Sequence, residues 1–496
     1  MNKTNQRVLI AAAVLLVVAC ICTGILVLGG IGAAFFATNR TVSTATAIPP
    51  LLLEPSLTPT LPDTFTPTSP TFTPSGPTLT PTPCPESGCP TPTPTMTPAA
   101  TLPPEILNQL LKIQTQVEAL RGLKSKTQVP LILLSPDQLR QHVTEDLKTN
   151  YIPADAQKDQ FVLSTLGLIP ADLDMLTLQT NLQAEQIAGF YDDKTQQMYV
   201  ITGSSFGGNE KLTYSHEFTH VLQDQNYGLR TGLNYNDDYC KTHSEYCAAV
   251  QALVEGDAVE SEMQWLTQYA TAKDKSDIVQ ATNNSQSPVY DSAPDILKDE
   301  LIFPYRIGNA FVIALFDKGG WAAVDNAYHN PPVSTEQIMH PELYPIDKPV
   351  EITLPDLLSV LGQGWTKVDQ DVMGEFDTYE LLAKGITQAA RLPDNTANQA
   401  AAGWGGDAYA IFKNAQNQPA LVLNDQWDTD KDATEFADAF LTYAFNRWGK
   451  AQQVSNAITA WQQGNTYVFF LHSGLKTLWI QAPDQATAQK LLDALK

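Results

Sequence analysis

The sequence predicts an α+β protein in four consecutive parts: a membrane helix, a disordered stalk, a mostly helical domain with a small edge sheet, and a small C-terminal α+β module. Three observations predict this organisation. An uncharged apolar run fills residues 8–37, proline and threonine dominate residues 41–104, and mixed helical and strand-like patterns begin only after residue 104. We place the four parts at 1–40, 41–104, 105–348 and 349–496.

The first part is predicted to anchor the chain in the cell membrane as a single-pass helix. Residues 8–37 contain no charged residue, and a helix of about 20 residues crosses a bilayer. Lys3 and Arg7 before the run favour a cytoplasmic N-terminus, which places the rest of the chain outside the cytoplasm. A cleaved signal peptide and a lipoprotein signal at Cys20 are the alternatives, and both also export the remaining residues.

The second part is a Thr/Pro-rich stalk that cannot build a hydrophobic core. Residues 41–104 hold 18 of the 34 prolines and 18 threonines. Repeated Thr-Pro steps favour extended polyproline geometry, so this segment is predicted to be a disordered spacer. Cys84 and Cys89 are close enough in sequence to form a small disulfide loop in an oxidising space.

The net charge excludes one class of partner. All of the formal charge of −23 falls on residues 105–496, which carry 27 basic and 50 acidic residues. Binding to a nucleic-acid backbone requires a basic face on the protein. Electrostatic docking on anionic lipid also requires basic segments, so the acidic charge argues against both. The sequence therefore predicts an acidic, solvated surface and no nucleic-acid partner.

The third part is predicted to be mostly helical, with a short hairpin before its central helices. Ile187–Tyr191 and Gln197–Ile201 are apolar runs that flank a polar turn, as in a β-hairpin. Apolar residues recur at helical spacing in several further segments. The predicted helices cover residues 105–123, 209–226, 244–269 and 305–318.

The central motif is His216-Glu217-Phe218-Thr219-His220, within a predicted helix. The two histidines are four positions apart, so they share one helix face and can offer two imidazoles to one metal ion. Glu217 lies about 100° around the helix, beside the metal position. This arrangement is typical of a zinc hydrolase, which needs two nitrogen ligands and a carboxylate next to a water molecule. The alternative is a pair of solvated or core histidines.

Glu255 is the predicted third metal ligand. It follows His220 by 35 residues on the next long predicted helix, and two antiparallel helices can place it opposite the histidines. A glycine inside a helix, such as Gly256, lowers helix stability by about 1 kcal/mol relative to alanine. We therefore expect Gly256 to have a packing role, namely to permit a close approach to the histidine helix. Asp257 or Asp224 is a candidate to orient a ligand histidine. Weaker candidate ligands on the same helix are Asp257, Glu260 and Glu262.

The motif at 216–220 and the stretch 255–258 (EGDA) resemble the gluzincins, specifically the peptidase MA-like group. A further match is 305–308 (YRIG), because this group typically starts a helix with Tyr-x-x-Gly after its metal glutamate. The extended metzincin motif is excluded, since Gln223 and Asn226 replace its glycine and histidine. The gap before Glu255 is longer than in thermolysin-like enzymes. The resemblance covers about residues 185–325 and implies a zincin-like fold and a zinc peptidase, without indicating a substrate.

These observations predict a membrane-anchored, extracytoplasmic zinc peptidase that acts on peptide or protein substrates. Glu217 is expected to take a proton from water and pass it to the leaving amine. The resemblance suggests Tyr305 as a donor to the oxyanion, and His340 is a second candidate. The strand Ile187–Tyr191 is predicted to pair with an extended substrate. The alternative function is a non-catalytic surface-binding or wall-associated protein that keeps the zincin scaffold.

Two cysteines lie in the loop between the two metal-binding helices. Cys240 and Cys247 predict a disulfide, which is common in exported domains. The rival interpretation is a second metal site that includes His243, but these three ligands are too few for a closed zinc site.

The fourth part is predicted to be a small α+β module of unknown role. Its apolar runs indicate strands at 409–412, 420–427, 467–471 and 477–481, and helices at 429–448 and 484–495. Its large aromatic residues belong either to the core or to a binding surface. They include Trp404, Trp427, Trp448 and Trp479.

Overall fold

A computed structural model of the chain describes residues 103–186, 189–201, 206–455 and 457–496. The predicted membrane run, the stalk as far as residue 102 and the Cys84–Cys89 pair lie outside these residues. Among the helices that are described, none combines the length and the apolar character needed to cross a bilayer. The described residues mix helices with strands, which confirms the α+β class.

The elements before residue 350 are mostly helices. They are α1 (Pro104–Arg121), β1 (Leu131–Leu134), α2 (Pro136–Asn150), α3 (Pro153–Leu166), α4 (Met175–Gln186), β2 (Gly189–Asp192), β3 (Gln197–Ile201), α5 (Gly208–Tyr227), α6 (Asp237–Cys240), α7 (Ser244–Gln268), α8 (Ala272–Asn284), α9 (Pro288–Ser292), α10 (Asp295–Gly319), α11 (Trp321–His329) and α12 (Thr335–Met339).

The elements after residue 350 include most of the strands. They are α13 (Leu357–Leu361), β4 (Trp365–Asp371), α14 (Gly374–Ala383), a 3-10 turn (Gln388–Ala390), α15 (Asp394–Ala401), β5 (Trp404–Asn414), β6 (Pro419–Trp427), α16 (Asp430–Trp448), β7 (Gln452–Gln453), β8 (Ile458–Gln463), β9 (Thr466–Ser473), β10 (Lys476–Ala482) and α17 (Gln485–Leu495).

The predicted hairpin belongs to a three-stranded sheet in the order β1-β3-β2. β2 is antiparallel to β3, and β1 joins the other side of β3 in parallel. The hairpin prediction is therefore confirmed for its described residues, while Ile187 lies outside them. β2 is an edge strand of this sheet, which leaves one side of its backbone available for other contacts.

Helices α7 and α10 cross where two glycines meet. A Cβ atom built on Gly256 would lie 2.3 Å from the carbonyl carbon of Gly308, and one built on Gly308 would lie 2.1 Å from the carbonyl oxygen of Ala252. Asn309 Nδ2 also donates to the Gly256 carbonyl at 3.1 Å. Gly256 thus permits a close approach, but the approach is to α10. The expectation that it faces the histidine helix was wrong.

Helix α10 begins at Asp295, ten residues before the start predicted from the Tyr-x-x-Gly pattern. The helix continues through Pro304, which lacks the backbone donor of an ordinary helical residue. Ile296, Leu297 and Phe303 are buried along this first half, so their packing stabilises helical structure across the proline. The predicted start at Tyr305 was therefore wrong.

A disulfide joins Cys240, the last residue of α6, to Cys247, in the first turn of α7. This is the pairing that the sequence predicted. His243 lies between the two cysteines and stacks on Tyr239, with 3.9 Å between the ring centroids. The bond therefore links α6 to the first turn of α7, the helix that carries Glu255.

The C-terminal strands form one antiparallel sheet in the order β4-β5-β6-β10-β9-β8-β7. Helix α16 covers one face and α17 the other, which separates the sheet residues into two cores. The predicted strands and helices of this region are confirmed with small shifts at their ends, whereas β4, β7 and β8 were not predicted. All four tryptophans named above are buried, so they belong to the core.

The core on the α16 face also includes residues from the helical part of the chain. Ala156 and Val162 of α3 and Ile296 of α10 belong to the same cluster as Trp427 and Phe440. Apolar packing therefore continues across the domain boundary that was placed at residues 348 and 349. That boundary stays a prediction.

Candidate metal centre

Helix α5 carries the histidine motif in its interior. At its start, the Glu210 carboxylate accepts a hydrogen bond of 2.9 Å from the Gly207 N–H. At its end, Gly228 adopts a left-handed conformation with a φ of 71°, which favours glycine. Between these ends no proline interrupts the backbone, so His216 and His220 lie one turn apart on the same face.

The structure brings His216, His220 and Glu255 together. Glu255 Oε2 lies 3.2 Å from His216 Nε2 and 3.3 Å from His220 Nε2. The candidate ligand atoms of all three residues are within 4.8 Å of one another. Their side chains are 9%, 12% and 16% exposed, so the group is shielded but still reachable from solvent.

The separations fit a tetrahedral zinc ion. Zinc lies about 2.0–2.2 Å from nitrogen and oxygen ligands, which places neighbouring ligand atoms about 3.3–3.5 Å apart in a tetrahedron. Both nitrogen–oxygen separations fall at or just below this range. Three protein ligands of this kind leave a fourth coordination position, as in catalytic zinc sites.

The partners of the other ring nitrogens orient both imidazoles. His216 Nδ1 lies 2.9 Å from Glu262 Oε2, and His220 Nδ1 lies 2.8 Å from Gln223 Oε1. Both partners are acceptors, so each Nδ1 carries a proton and each Nε2 is the nitrogen that a metal would bind. Each imidazole therefore directs Nε2 toward Glu255, and a bound metal would take the place of the proton that Nε2 shares with this carboxylate.

His216, His220 and Glu255 shift one another's pKa values. Burial alone would lower the pKa of His216, but its hydrogen bonds with Glu255 and Glu262 outweigh burial and raise the pKa well above the usual value. Burial would raise the pKa of Glu255, but His220 and His216 outweigh it and lower the pKa. Because a metal must displace the histidine protons, we expect metal affinity to fall as the pH falls.

Glu217 projects beside this group and contacts the edge strand β2. Its Oε2 accepts a hydrogen bond of 2.9 Å from the backbone N–H of Tyr191. Burial raises the pKa of Glu217, although His220 and His216 act in the opposite direction. A raised pKa makes the carboxylate a stronger proton acceptor than an ordinary surface glutamate.

A second layer of polar contacts supports the histidines from behind. Gln223 donates from Nε2 to the Val254 carbonyl at 2.9 Å and to Asp257 Oδ2 at 3.0 Å. Arg121 Nε and the Tyr328 hydroxyl both donate to Asp257 at 2.7 Å. Asp257 therefore acts on His220 only through Gln223, and not by the direct contact that the sequence suggested.

The other predicted orienting residue, Asp224, also contacts neither histidine. It accepts hydrogen bonds from the Tyr191 hydroxyl at 2.8 Å and from the Leu229 N–H at 3.0 Å. These bonds connect the end of α5 to β2 and to the following loop. Asp224 thus supports the position of the edge strand.

The two candidate oxyanion donors occupy different surroundings. The Tyr305 ring, on α10, stacks on His216 with 6.1 Å between the centroids. His340 follows α12, and its Nε2 lies 2.8 Å from Glu375 Oε1. Helix α12 contacts α7 at Glu245, which precedes Glu255 by ten residues, or about 15 Å along the helix. The structure therefore places Tyr305 beside the motif, and pairs His340 with Glu375.

Sequence reasoning missed the residues that orient the ligands. Glu262 was considered only as a weaker ligand, and Gln223 only as a departure from another motif. Their positions carry a signal, since Gln223 is three residues after His220 and Glu262 is seven residues after Glu255. Among the described residues, the group of ligand atoms includes none of the weaker candidates.

The C-terminal part of the chain, and not the histidine motif, matches a family model. The model of a domain of unknown function, DUF8575, matches residues 361–492, which contain the seven-stranded sheet. No curated protein and no solved structure matches the chain.

Proposed function

We propose that this chain is a zinc-dependent peptidase that is held at the cell membrane by residues 8–37 and hydrolyses peptide or protein substrates outside the cytoplasm. One observation carries the proposal. Two imidazole nitrogens and Glu255 Oε2 converge at the separations of a zinc site, with Glu217 next to them. A scaffold without catalysis has no need of that additional carboxylate.

Glu217 is the proposed general base. When bound, zinc supplies a Lewis acid that polarises a carbonyl and lowers the pKa of water to about 7. Glu217 accepts the proton of the attacking water and later donates it to the leaving amine. The Tyr191 N–H holds the carboxylate in place, and the raised pKa favours the uptake of that proton.

Tyr305 is the better supported of the two proposed oxyanion donors. Its ring stacks on His216 with 6.1 Å between the centroids, so Tyr305 is close to the proposed metal ligands. A donor aimed at the developing oxyanion is worth about 100- to 1000-fold in rate. His340 is the weaker candidate because its Nε2 is already paired with Glu375.

The edge strand β2 is the proposed substrate-binding element. The N–H of Tyr191 points away from β3 toward Glu217, so the outer edge of the strand runs beside the base. An extended peptide can add to such an edge through main-chain hydrogen bonds. This pairing would bring a scissile bond next to Glu217.

The decisive experiment measures zinc content and cleavage of a peptide library on the same preparations of full-length protein. Wild type is compared with Glu217→Gln, and with Glu105→Gln as a control for an exposed glutamate. We expect one bound zinc in all three proteins and a 100- to 10,000-fold loss of activity only in Glu217→Gln. Zinc-loaded wild type that cleaves no peptide would contradict the proposal and favour the surface-binding alternative.

A further inference from the structure

A second group of carboxylates lies away from the histidine motif. Glu336 in the first turn of α12, Asp347 after α12, and Asp428 after β6 place their candidate ligand oxygens within 4.8 Å of one another. Within the described part of the chain, none of the three forms an ion pair. Three adjacent carboxylates without a basic partner repel one another unless a proton or a cation neutralises them.

Glu336 provides the independent indication of a ligand. The residue is only 1% exposed, and its Oε1 has no hydrogen-bond partner among the described residues. A buried carboxylate without a partner is strongly unfavourable, and such groups are normally paired or coordinate a metal. The unpartnered side chain belongs to the same group of converging oxygens as Asp347 and Asp428.

The chemistry of the group points to calcium. All three ligands offer oxygen only, which suits a hard cation and gives no reason for zinc to prefer the site. Calcium–oxygen distances of about 2.3–2.6 Å allow ligand oxygens up to about 5 Å apart across the ion. Asp428 is exposed, so water molecules can complete the six to eight ligands that calcium usually takes.

We infer that Glu336, Asp347 and Asp428 form a calcium site that joins the helical part of the chain to the seven-stranded sheet. The backbone segments next to Asp347 and Asp428 already pack closely against each other. A Cβ atom on Gly405 would lie 2.7 Å from Asp428 Oδ1, and the Val350 N–H donates to the Gly405 carbonyl at 2.7 Å. An ion at this position would bridge two segments that are about 80 to 90 residues apart in sequence.

The site is tested by terbium and calcium binding to zinc-loaded, full-length protein. Trp427 directly precedes Asp428, so bound Tb³⁺ should luminesce when tryptophan is excited, and Ca²⁺ should displace it. Extracellular calcium modules bind with dissociation constants of about 0.1–1 mM, so 10 mM Ca²⁺ should raise Tm by a few degrees. Mg²⁺ at the same concentration should have a smaller effect.

Variants locate the binding. Asp347→Asn and Glu336→Gln should both lose the terbium signal and the Ca²⁺-induced rise in Tm, whereas Asp438→Asn, at an exposed position of α16, should keep both. Zinc content is measured in parallel and should not change, so the result is independent of the proposed peptidase activity. The inference is overturned if wild type shows no Ca²⁺ response, if Asp347→Asn responds like wild type, or if Mg²⁺ acts as strongly as Ca²⁺.

Discussion

The two carboxylate groups of this protein differ in what surrounds them. In the histidine group, Glu255 faces two imidazoles, which lower its pKa, and each imidazole is oriented by a further side chain. In the second group, Glu336 faces other acids, and burial together with Glu375 and Asp428 raises its pKa to about 9. In the first group, the side chains are therefore oriented toward one another before an ion binds. In the second group, a bound cation would reduce the repulsion between the carboxylates.

We expect this difference to determine which ion each group binds. Mixed nitrogen and oxygen ligands at tetrahedral separations select zinc, and oriented imidazoles reduce the cost of assembling that geometry. An all-oxygen group with solvent access selects a larger, more flexibly coordinated cation. Substitutions in each group should therefore change the binding of one ion and leave the other unchanged.

The largest effect is expected from removing the carboxylate of the histidine group. Glu255→Ala should reduce bound zinc from one ion to nearly none and abolish peptide cleavage, because two imidazoles alone do not hold a catalytic zinc. Zinc is measured by elemental analysis after gel filtration, and the fold by circular dichroism.

Glu260→Ala provides the matched control, since Glu260 lies on the same helix and accepts a hydrogen bond from Gln264. It should keep full zinc and activity. Unchanged zinc in a folded Glu255→Ala protein would remove Glu255 from the ligand set. Calcium binding should be the same in both variants, because the second group is untouched.

The next effect distinguishes the two oxyanion candidates. Tyr305→Phe should lower kcat about 100- to 1000-fold with little change in KM, because the donor acts on the transition state. His340→Asn should change kcat less than about twofold, since that imidazole pairs with Glu375. Steady-state kinetics on one peptide substrate measure both variants. The reverse result would assign the donor to His340 and leave Tyr305 as a packing residue.

A smaller effect is expected from the residue that orients His216. Glu262→Gln keeps an acceptor at Nδ1 but removes its charge, so zinc affinity should fall about 10- to 100-fold, whereas the proposed peptidase activity of the zinc-loaded protein should remain. Competition with a chelating dye measures the affinity, and Glu260→Gln serves as the control. An unchanged affinity would show that the Glu262 contact does not contribute to zinc binding.

The sequence predicted that His216, His220 and Glu255 lie together, because their spacing places them on two neighbouring helices. The relative positions of His216, Glu217 and His220 could be predicted from the periodicity of one helix. The position of Glu255 could be predicted because it lies on the next long helix. The direction in which Gly256 faces could not be predicted, since it depends on how α7 crosses α10. For the same reason, residue spacing did not reveal that Pro304 lies inside a helix.

The second group escaped prediction because no local pattern marks it. Glu336 and Asp347 lie before the sheet and Asp428 lies after its third strand, so only the tertiary fold brings them together. Strands β4 and β8 were missed because their apolar residues are interrupted by polar ones. Sequence reasoning thus identified the group whose residues share helix faces, and missed the group that depends on packing between distant segments.

The smallest expected effect is a pH dependence of stability in the second group. The pKa of Glu336 is about 9 in the folded protein, against an ordinary value of 4.5, so the folded state binds more protons than the unfolded state between these values. The stability associated with protonated Glu336 is fully present below about pH 4.5 and is lost as the pH rises toward 9. When the folded state binds one more proton than the unfolded state, the free energy of unfolding falls by at most about 1.4 kcal/mol for each pH unit of increase.

Without calcium, wild type should therefore lose stability from pH 5 to pH 9 more steeply than Glu336→Gln, which has no proton to release at this position. Calcium should flatten the wild-type profile, because the ion neutralises the carboxylates that the proton leaves behind. Denaturant unfolding at each pH, with and without Ca²⁺, measures the difference. Parallel profiles for the two proteins would show that Glu336 does not titrate differently in the two states. The contrast between the two carboxylate groups would then rest on ligand type alone.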